Sequence, residues 1–316
     1  MNLRNALFSR IEGATGFNRE RIVVLPWARR AGPTYYIVRR SIGWGGNGFF
    51  SNVLYALTHI AYAMDKGWIP VVDMRNYRTL YSENEPVNGS RNDWEHYFVQ
   101  KHGTREAYRS GRFVLSDAHQ RKQEYHPIIE SDDIVCLEPN CSAKIRQAIA
   151  EHLRILPQLE CEFARFRDEK FAGRKVCGVH WRGTDKRVPP PGHRPTPSIA
   201  DVAKAVQEVC ASDKPELIFL ASDENGIREK IEERAGVPVV SADAFRLEQH
   251  GTGEGLHTAR NCSARKHHRY LLGLEVLRDA WLLSRCNCLV HGHSNVTNAA
   301  MLFRDRPFDT RILVRS

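Results

Sequence analysis

One stretch constrains this chain more than any other. Lys175 to Val179 is short, apolar and β-branched at its key positions, as a buried parallel strand is. It runs straight into His180, Trp181, Arg182, Gly183, Thr184, Asp185 and Lys186. An apolar strand that opens abruptly into an imidazole, a guanidinium, a glycine and a carboxylate reads as a strand end in an open α/β sheet. Such sheets bind ligands at the carboxyl ends of their strands. Arg182 brings a permanently charged planar fork that suits a diphosphate. Gly183 lets the backbone turn or approach a ligand closely. Taken singly, each residue also fits an ordinary strand end, with Asp185 paired to Lys186 or Arg187.

The flanking sequence alternates in the way such a sheet requires. Tyr35 to Val38 reads as a strand and is followed by the glycine-rich run Gly43-Trp44-Gly45-Gly46-Asn47-Gly48. From Phe49 to Lys66, apolar residues recur at helical spacing: Phe50, Val53, Leu54, Leu57, Ile60, Ala61 and Met64. Gly67 stops that helix, and Ile69 to Asp73 is a second strand, completing a βαβ unit. Gly43-x-Gly45-x-x-Gly48, with Asp73 about 25 residues further on, has the form of a dinucleotide fingerprint. Glycine-rich first loops of this kind also face the cleft in two-domain nucleotide-sugar transferases, where Gly43, Gly45 and Gly46 would lie against the donor.

Tyr77 to His126 is rich in turn formers and predicts loops and short helices. Its aromatic residues Trp94, Tyr97 and Phe98 suit either a core or a sugar-stacking surface. Ile134 to Leu137 predicts a strand, and Ser142 to Phe166 a helical region broken at Pro157. A proline-rich loop follows Lys186, and Ser198 caps a helix to about Ala211. Leu217–Ala221, Val237–Val240 and Cys288–Val290 read as strands. Gly226–Ala235, Tyr270–Leu283 and Asn295–Phe303 read as helices.

Composition narrows the function classes. With 316 residues, 42% of them hydrophobic and 26% charged, the chain can build a sizeable core and is not disordered. A formal charge of +9 calls for an anionic partner, and no nucleic-acid-binding module is present to claim it. Basic pairs such as Arg29-Arg30 and Arg39-Arg40 are spread along the chain. That surface also suits peripheral attachment to an anionic membrane. The amino terminus has no signal-peptide pattern, and no run approaches the roughly 18 apolar residues of a membrane span. The eight cysteines match no zinc spacing and read as reduced thiols. The expected setting is a bacterial cytoplasm, with the inner face of the membrane within reach.

Four motifs carry a family resemblance. His180-x-Arg182-x-Thr184-Asp185-Lys186 resembles the first signature of the GDP-fucose-dependent α1,6-fucosyltransferases. That family holds the core N-glycan and rhizobial nodulation enzymes; protein O-fucosyltransferases are similar more distantly. Phe219-Leu220-Ala221-Ser222-Asp223 is similar to the family's strand ending in Leu-Ala-Thr-Asp. Gly255-Leu256-His257 and Asp279-x-x-x-Leu283-Ser284, with Ser294-Asn295 beyond the next strand, follow in the family's order.

The resemblance implies an α/β, GT-B-like fold: two Rossmann-like domains with doubly wound parallel sheets facing a cleft. Residues 1–165 would form the acceptor-side domain, 166–303 the GDP-sugar-binding domain, and 304–316 a tail. It implies that His180, Arg182, Asp223, Asp279, Ser294 and Asn295 bind the donor, GDP-fucose. Asp279 would accept from the paired N–H groups of guanine, and Arg182 would stabilise charge on the GDP leaving group. The implied reaction inverts configuration at the anomeric carbon and needs no metal or other cofactor, in keeping with the lack of any Asp-x-Asp. The family's glutamate after Thr-Asp-Lys is missing here, which leaves Asp73, His193 and Glu254 as candidate bases. The expected partners are a GDP-sugar and a glycan acceptor, a bacterial surface polysaccharide or lipid-linked oligosaccharide. The alternatives are a transferase for another GDP-sugar, an NAD-dependent oxidoreductase built on the glycine loop, and a non-catalytic GDP-sugar- or glycan-binding protein.

Overall fold

A computed structural model describes residues 20–29, 32–40, 47–130, 133–183, 196–246 and 265–315. The chain divides into two compact units, Met1–Leu156 and Pro157–Ser316. Each is an α/β unit built on a largely or wholly parallel sheet, the fold class expected.

In the first unit the elements are β1 (Arg21–Val24), β2 (Tyr35–Val38), α1 (Phe49–Asp65), β3 (Ile69–Val72), α2 (Thr104–Arg109) and β4 (Arg112–Leu115). They continue with β5 (Pro127–Glu130), β6 (Asp133–Cys136) and α3 (Ser142–His152). The main sheet has the order β1-β4-β2-β3. β2 pairs in parallel with both β3 and β4, and β1 is an antiparallel edge strand. α1 is the helix read from its apolar spacing, and most of its length is buried. Gly67 ends it in the left-handed region at φ 68° and donates to the Met64 carbonyl. Pro70 sits in β3 because β3 is the other edge, where a missing N–H does little harm.

β4 escapes a sequence reading. Four residues between polar segments give periodicity too little to work on. Trp94, Tyr97 and Phe98 turn out to be core. Trp94 packs on Phe98 at 4.6 Å and Phe49 on Tyr97 at 4.8 Å, leaving no aromatic face for a sugar.

In the second unit the elements are α4 (Pro157–Lys170), β7 (Val176–Trp181), α5 (Ile199–Asp213), β8 (Leu217–Ser222), α6 (Ile227–Ala235) and β9 (Val239–Val240). After them come α7 (His268–Ser284), β10 (Cys288–His291), α8 (Asn295–Leu302) and β11 (Thr310–Leu313). All five strands are parallel, in the order β11-β10-β7-β8-β9. Cys177, Val179 and Trp181 face α5 and α6 in one core, with Val202, Val206, Val209 and Ile231. Gly178, on the opposite face, lies under Leu283 and Cys286 at the end of α7. Helices therefore cover both faces, as in a doubly wound sheet.

Two differences from the sequence reading concern boundaries. Pro157 opens α4, and Phe163 on that helix packs on Trp281 at 5.9 Å, so residues 157–165 go with the second unit. The segment 304–316, read as a tail, carries edge strand β11, paired to β10 from Thr310 to Leu313. Its half-buried Thr-Arg-Ile-Leu lacks the apolar run of an inner strand.

Both sheets share a topological property. In each, the first inner strand leads through a helix to a neighbour on one side, while a later strand pairs on its other side. The order of strand addition thus reverses between β2 and β4 in the first unit and between β7 and β10 in the second. The crevice at the carboxyl ends of such a pair is where open α/β sheets receive ligands.

Candidate functional site

The β7–β10 crevice holds most of the residues singled out in the sequence. β7 runs through His180 and Trp181, so both belong to the strand and not to the loop after it. His180 stands in register with His291 of β10. Both imidazoles are buried. Burial pushes His180 down to about 3, helped by His291 and Arg182, and His291 down to about 4. Both are neutral at any working pH. His291 Nδ1–H donates to the Gly292 carbonyl at 2.9 Å, and its enclosed Nε2 has no partner among the described residues.

Arg182 and Gly183 leave the strand end along a path fixed by three contacts. Thr196 Oγ1 donates to the Arg182 carbonyl at 2.8 Å, and the Gly183 amide donates to the Asp223 carboxylate at 2.9 Å. Trp181 Nε1 donates to the Pro197 carbonyl at 3.4 Å. Asp223 thus positions the backbone beside Arg182. Gly183 is required by close packing and not by its dihedrals. A Cβ there would collide with the Trp181 ring and meet the Glu224 carboxyl carbon at 2.8 Å. Glu224 is buried against this segment and was not singled out in the sequence.

Across the crevice, Ser294 caps α8 by accepting from the Val296 amide at 3.1 Å, and exposed Asn295 is the helix's first residue. The positive end of that helix and the Arg182 guanidinium therefore belong to the same sheet edge.

Asp279 lies on α7. The residue is half-buried, but its Oδ1 is enclosed and has no hydrogen-bond partner among the described residues. Desolvation raises its carboxyl to about 7, against the opposing charges of Arg278 and Arg246. Those guanidiniums are turned to backbone. Arg246 donates to the Ala242 carbonyl at 2.6 Å and to the Ser222 carbonyl at 3.3 Å, and Arg278 donates to the Asp243 carbonyl. Ser222 ends β8, so Asp279 stands near the carboxyl end of that strand. No motif marks Arg246 or Arg278 as neighbours of this carboxylate. An enclosed acceptor-only oxygen is matched by a ligand with N–H donors.

Asp73, a candidate base, is placed otherwise. It is fully buried. Its Oδ1 accepts from the Arg75 and Asn76 amides at 3.1 and 3.0 Å, and its Oδ2 from Asn76 Nδ2 and the Tyr108 hydroxyl at 2.7 Å each. A carboxylate with four donors and no exposure holds a turn and is not available to an acceptor hydroxyl. Gly43, Gly45, Gly46, Asp185, Lys186, His193, Glu254 and the Gly255-Leu256-His257 motif lie outside the described residues.

No family model and no curated protein sequence matches the chain. Among solved structures, the chain is similar to the fucosyltransferase NodZ from Bradyrhizobium. The identity is 15% over 88% of this chain and 96% of that one, with a TM-score of 0.48. It is similar to NodZ α1,6-fucosyltransferase co-crystallised with GDP at 16% identity, over 86% of this chain and 93% of that one, with a TM-score of 0.46. It is similar to POFUT1 in complex with GDP-fucose at 10% identity, over 92% of this chain and all (100%) of that one, with a TM-score of 0.49.

Proposed function

We propose that this chain is an inverting glycosyltransferase that moves L-fucose from GDP-β-L-fucose to a glycan acceptor, without a metal. The observation that carries the reading is the edge of the second sheet. It joins a cation on a fixed backbone, a helix amino terminus and an enclosed carboxylate that lacks a donor. These are complementary, in that order, to a diphosphate and a guanine.

Asp279 accepts from the N1–H and the amino group of guanine, a donor pair that adenine does not present. Arg182 and the amino terminus of α8, at Ser294 and Asn295, hold the diphosphate. His180 and His291 are neutral, so they add no positive charge beside Arg182. As the bond between the anomeric carbon and the β-phosphate oxygen breaks, that oxygen gains negative charge next to the guanidinium. The acceptor oxygen attacks from the opposite face, which converts the β-linked donor to an α-fucoside. With Asp73 committed to its turn, His193 and Glu254 are the remaining candidates to take the acceptor's proton.

The test is calorimetric titration of the purified chain with GDP, ADP, UDP and NAD in the presence of EDTA, followed by assay of GDP-fucose turnover. Micromolar binding of GDP alone and release of GDP from GDP-fucose are the expected results. Binding of NAD without GDP would replace this reading with the oxidoreductase built on the glycine loop.

A further inference from the structure

The first unit has a crevice of its own, between β2 and β4. The two carboxyl ends are tied there by Arg39, whose amide donates to Ser116 Oγ at 2.8 Å and whose Nε donates to the Ser116 carbonyl at 2.6 Å. Just past this tie, Arg40 follows β2 and Arg121 follows the turn after β4. With Tyr55, His119, Gln120 and Gln123 they line a pocket of about 460 Å3. That volume suits one or two sugar rings.

The charges in this pocket do not balance. Arg40 lies over the Tyr55 ring at 4.2 Å, and its Nε reaches Asn52 Oδ1 at 3.3 Å. Among the described residues, the guanidinium of Arg121 reaches the His126 ring, at 3.4 Å. Each guanidinium is partly desolvated, and the charge of Arg121 acts on Arg40. Burial and Arg121 both hold His126 below its ordinary value, so it adds a neutral ring. No carboxylate side chain among the described residues offsets either arginine. Next door the pattern is different: Lys122 pairs with Glu20 at 2.8 Å. Of the two acids nearest in sequence to Arg121, Asp117 spends Oδ1 on the amides of His119 and Gln120 at 2.7 and 2.9 Å, and Glu124 forms no ion pair with either arginine. Two half-buried cations side by side without a counter-charge are an unfavourable arrangement unless a ligand completes it.

We propose that this pocket is an oxyanion site, in which the forks of Arg40 and Arg121 grip the carboxylate or phosphate of a small anionic ligand. Arginine forks match either group through paired N–H donors. Gln123 and His119, exposed at the mouth, offer polar groups to neighbouring hydroxyls. Resting on the glycosyltransferase reading, the ligand is the acceptor, and the acceptor is an acidic glycan bearing a uronate or a sugar phosphate. The site itself follows from geometry and does not depend on what binds the second unit.

The experiment is calorimetric titration of the full chain with glucuronic acid, glucose 1-phosphate and neutral glucose, at low and at high salt. One or both acids bind and glucose does not; which acid binds identifies the carboxylate or the phosphate. Salt weakens the binding. Arg121→Gln lowers acid affinity by at least about tenfold, while Arg121→Lys, which keeps the charge and loses the fork, gives an intermediate loss. GDP affinity is the same in all three proteins. Arg40→Gln could loosen the packing on Tyr55, so Arg121→Gln decides. Equal acid binding by wild type and Arg121→Gln, or no binding of either acid, overturns the site. Acid binding without GDP binding upholds it and removes the donor reading instead.

Discussion

His180 and His291 are cross-strand partners on adjacent parallel strands, both buried and both held neutral where the order of strand addition reverses. Each has a folded pKa below its unfolded value, so the unfolded chain binds the extra protons in mild acid. Stability is then fully present above about pH 6.5 and is lost as pH falls toward 4. His291→Gln should remove part of that slope, up to about 2 kcal/mol at pH 5. Urea unfolding at pH 7 and pH 5 measures it. Identical slopes in both proteins would show that His291 titrates normally.

Asp279 has the opposite sense. Its carboxyl is raised to about 7 in the folded chain, so it is partly protonated at neutrality and cannot fully serve as an acceptor. Guanine binding favours the ionised form. GDP affinity should therefore rise with pH through about 7 and level off above 8, with a proton released on binding near pH 7. Titrations in buffers of different ionisation enthalpy count that proton. Asp279→Asn should lose the preference of GDP over ADP. It should also unfold at a temperature a few degrees higher at pH 8, where the wild type carries a desolvated charge without a hydrogen bond to its Oδ1. Unchanged GDP affinity would refute the guanine assignment.

Arg182→Ala should lower turnover of GDP-fucose by roughly 100-fold or more, because the lost cation faces charge that grows in the transition state. The effect should fall on kcat more than on KM. Steady-state assays of both variants, Ala and Lys, separate charge from fork geometry. Arg182→Ala at wild-type rate takes Arg182 out of the mechanism.

Asp73→Ala should cost stability and not chemistry. It strips partners from two amides, Asn76 and the Tyr108 hydroxyl, a loss of about 2–3 kcal/mol. Thermal unfolding and a rate assay on the folded fraction test this together. A stable protein with abolished turnover would return Asp73 to the chemistry.

Much of the architecture was legible in the sequence because it is written locally. The apolar spacing of Phe50 to Met64 specifies α1, Ser198 marks the start of α5, and the run from Lys175 into Arg182 announces a strand ending at a binding edge. Where local signal is thin, it failed. β4 and β11 are four-residue strands whose membership in a sheet comes from their neighbours, and Trp94, Tyr97 and Phe98 are core because of what surrounds them.

The site divides along the same line. The sequence by itself determined which chemical groups are present and in what order: Arg182, Asp223, Asp279, Ser294 and Asn295. Only the tertiary structure decided their states. It buried Asp73 under four donors, enclosed the Asp279 oxygen without one, and neutralised His180 against His291. It also brought Arg121 beside Arg40, 81 positions away, with no acid lining their pocket among the described residues. Periodicity and capping are properties of neighbouring residues. Desolvation and charge balance belong to surfaces that the chain assembles only on folding.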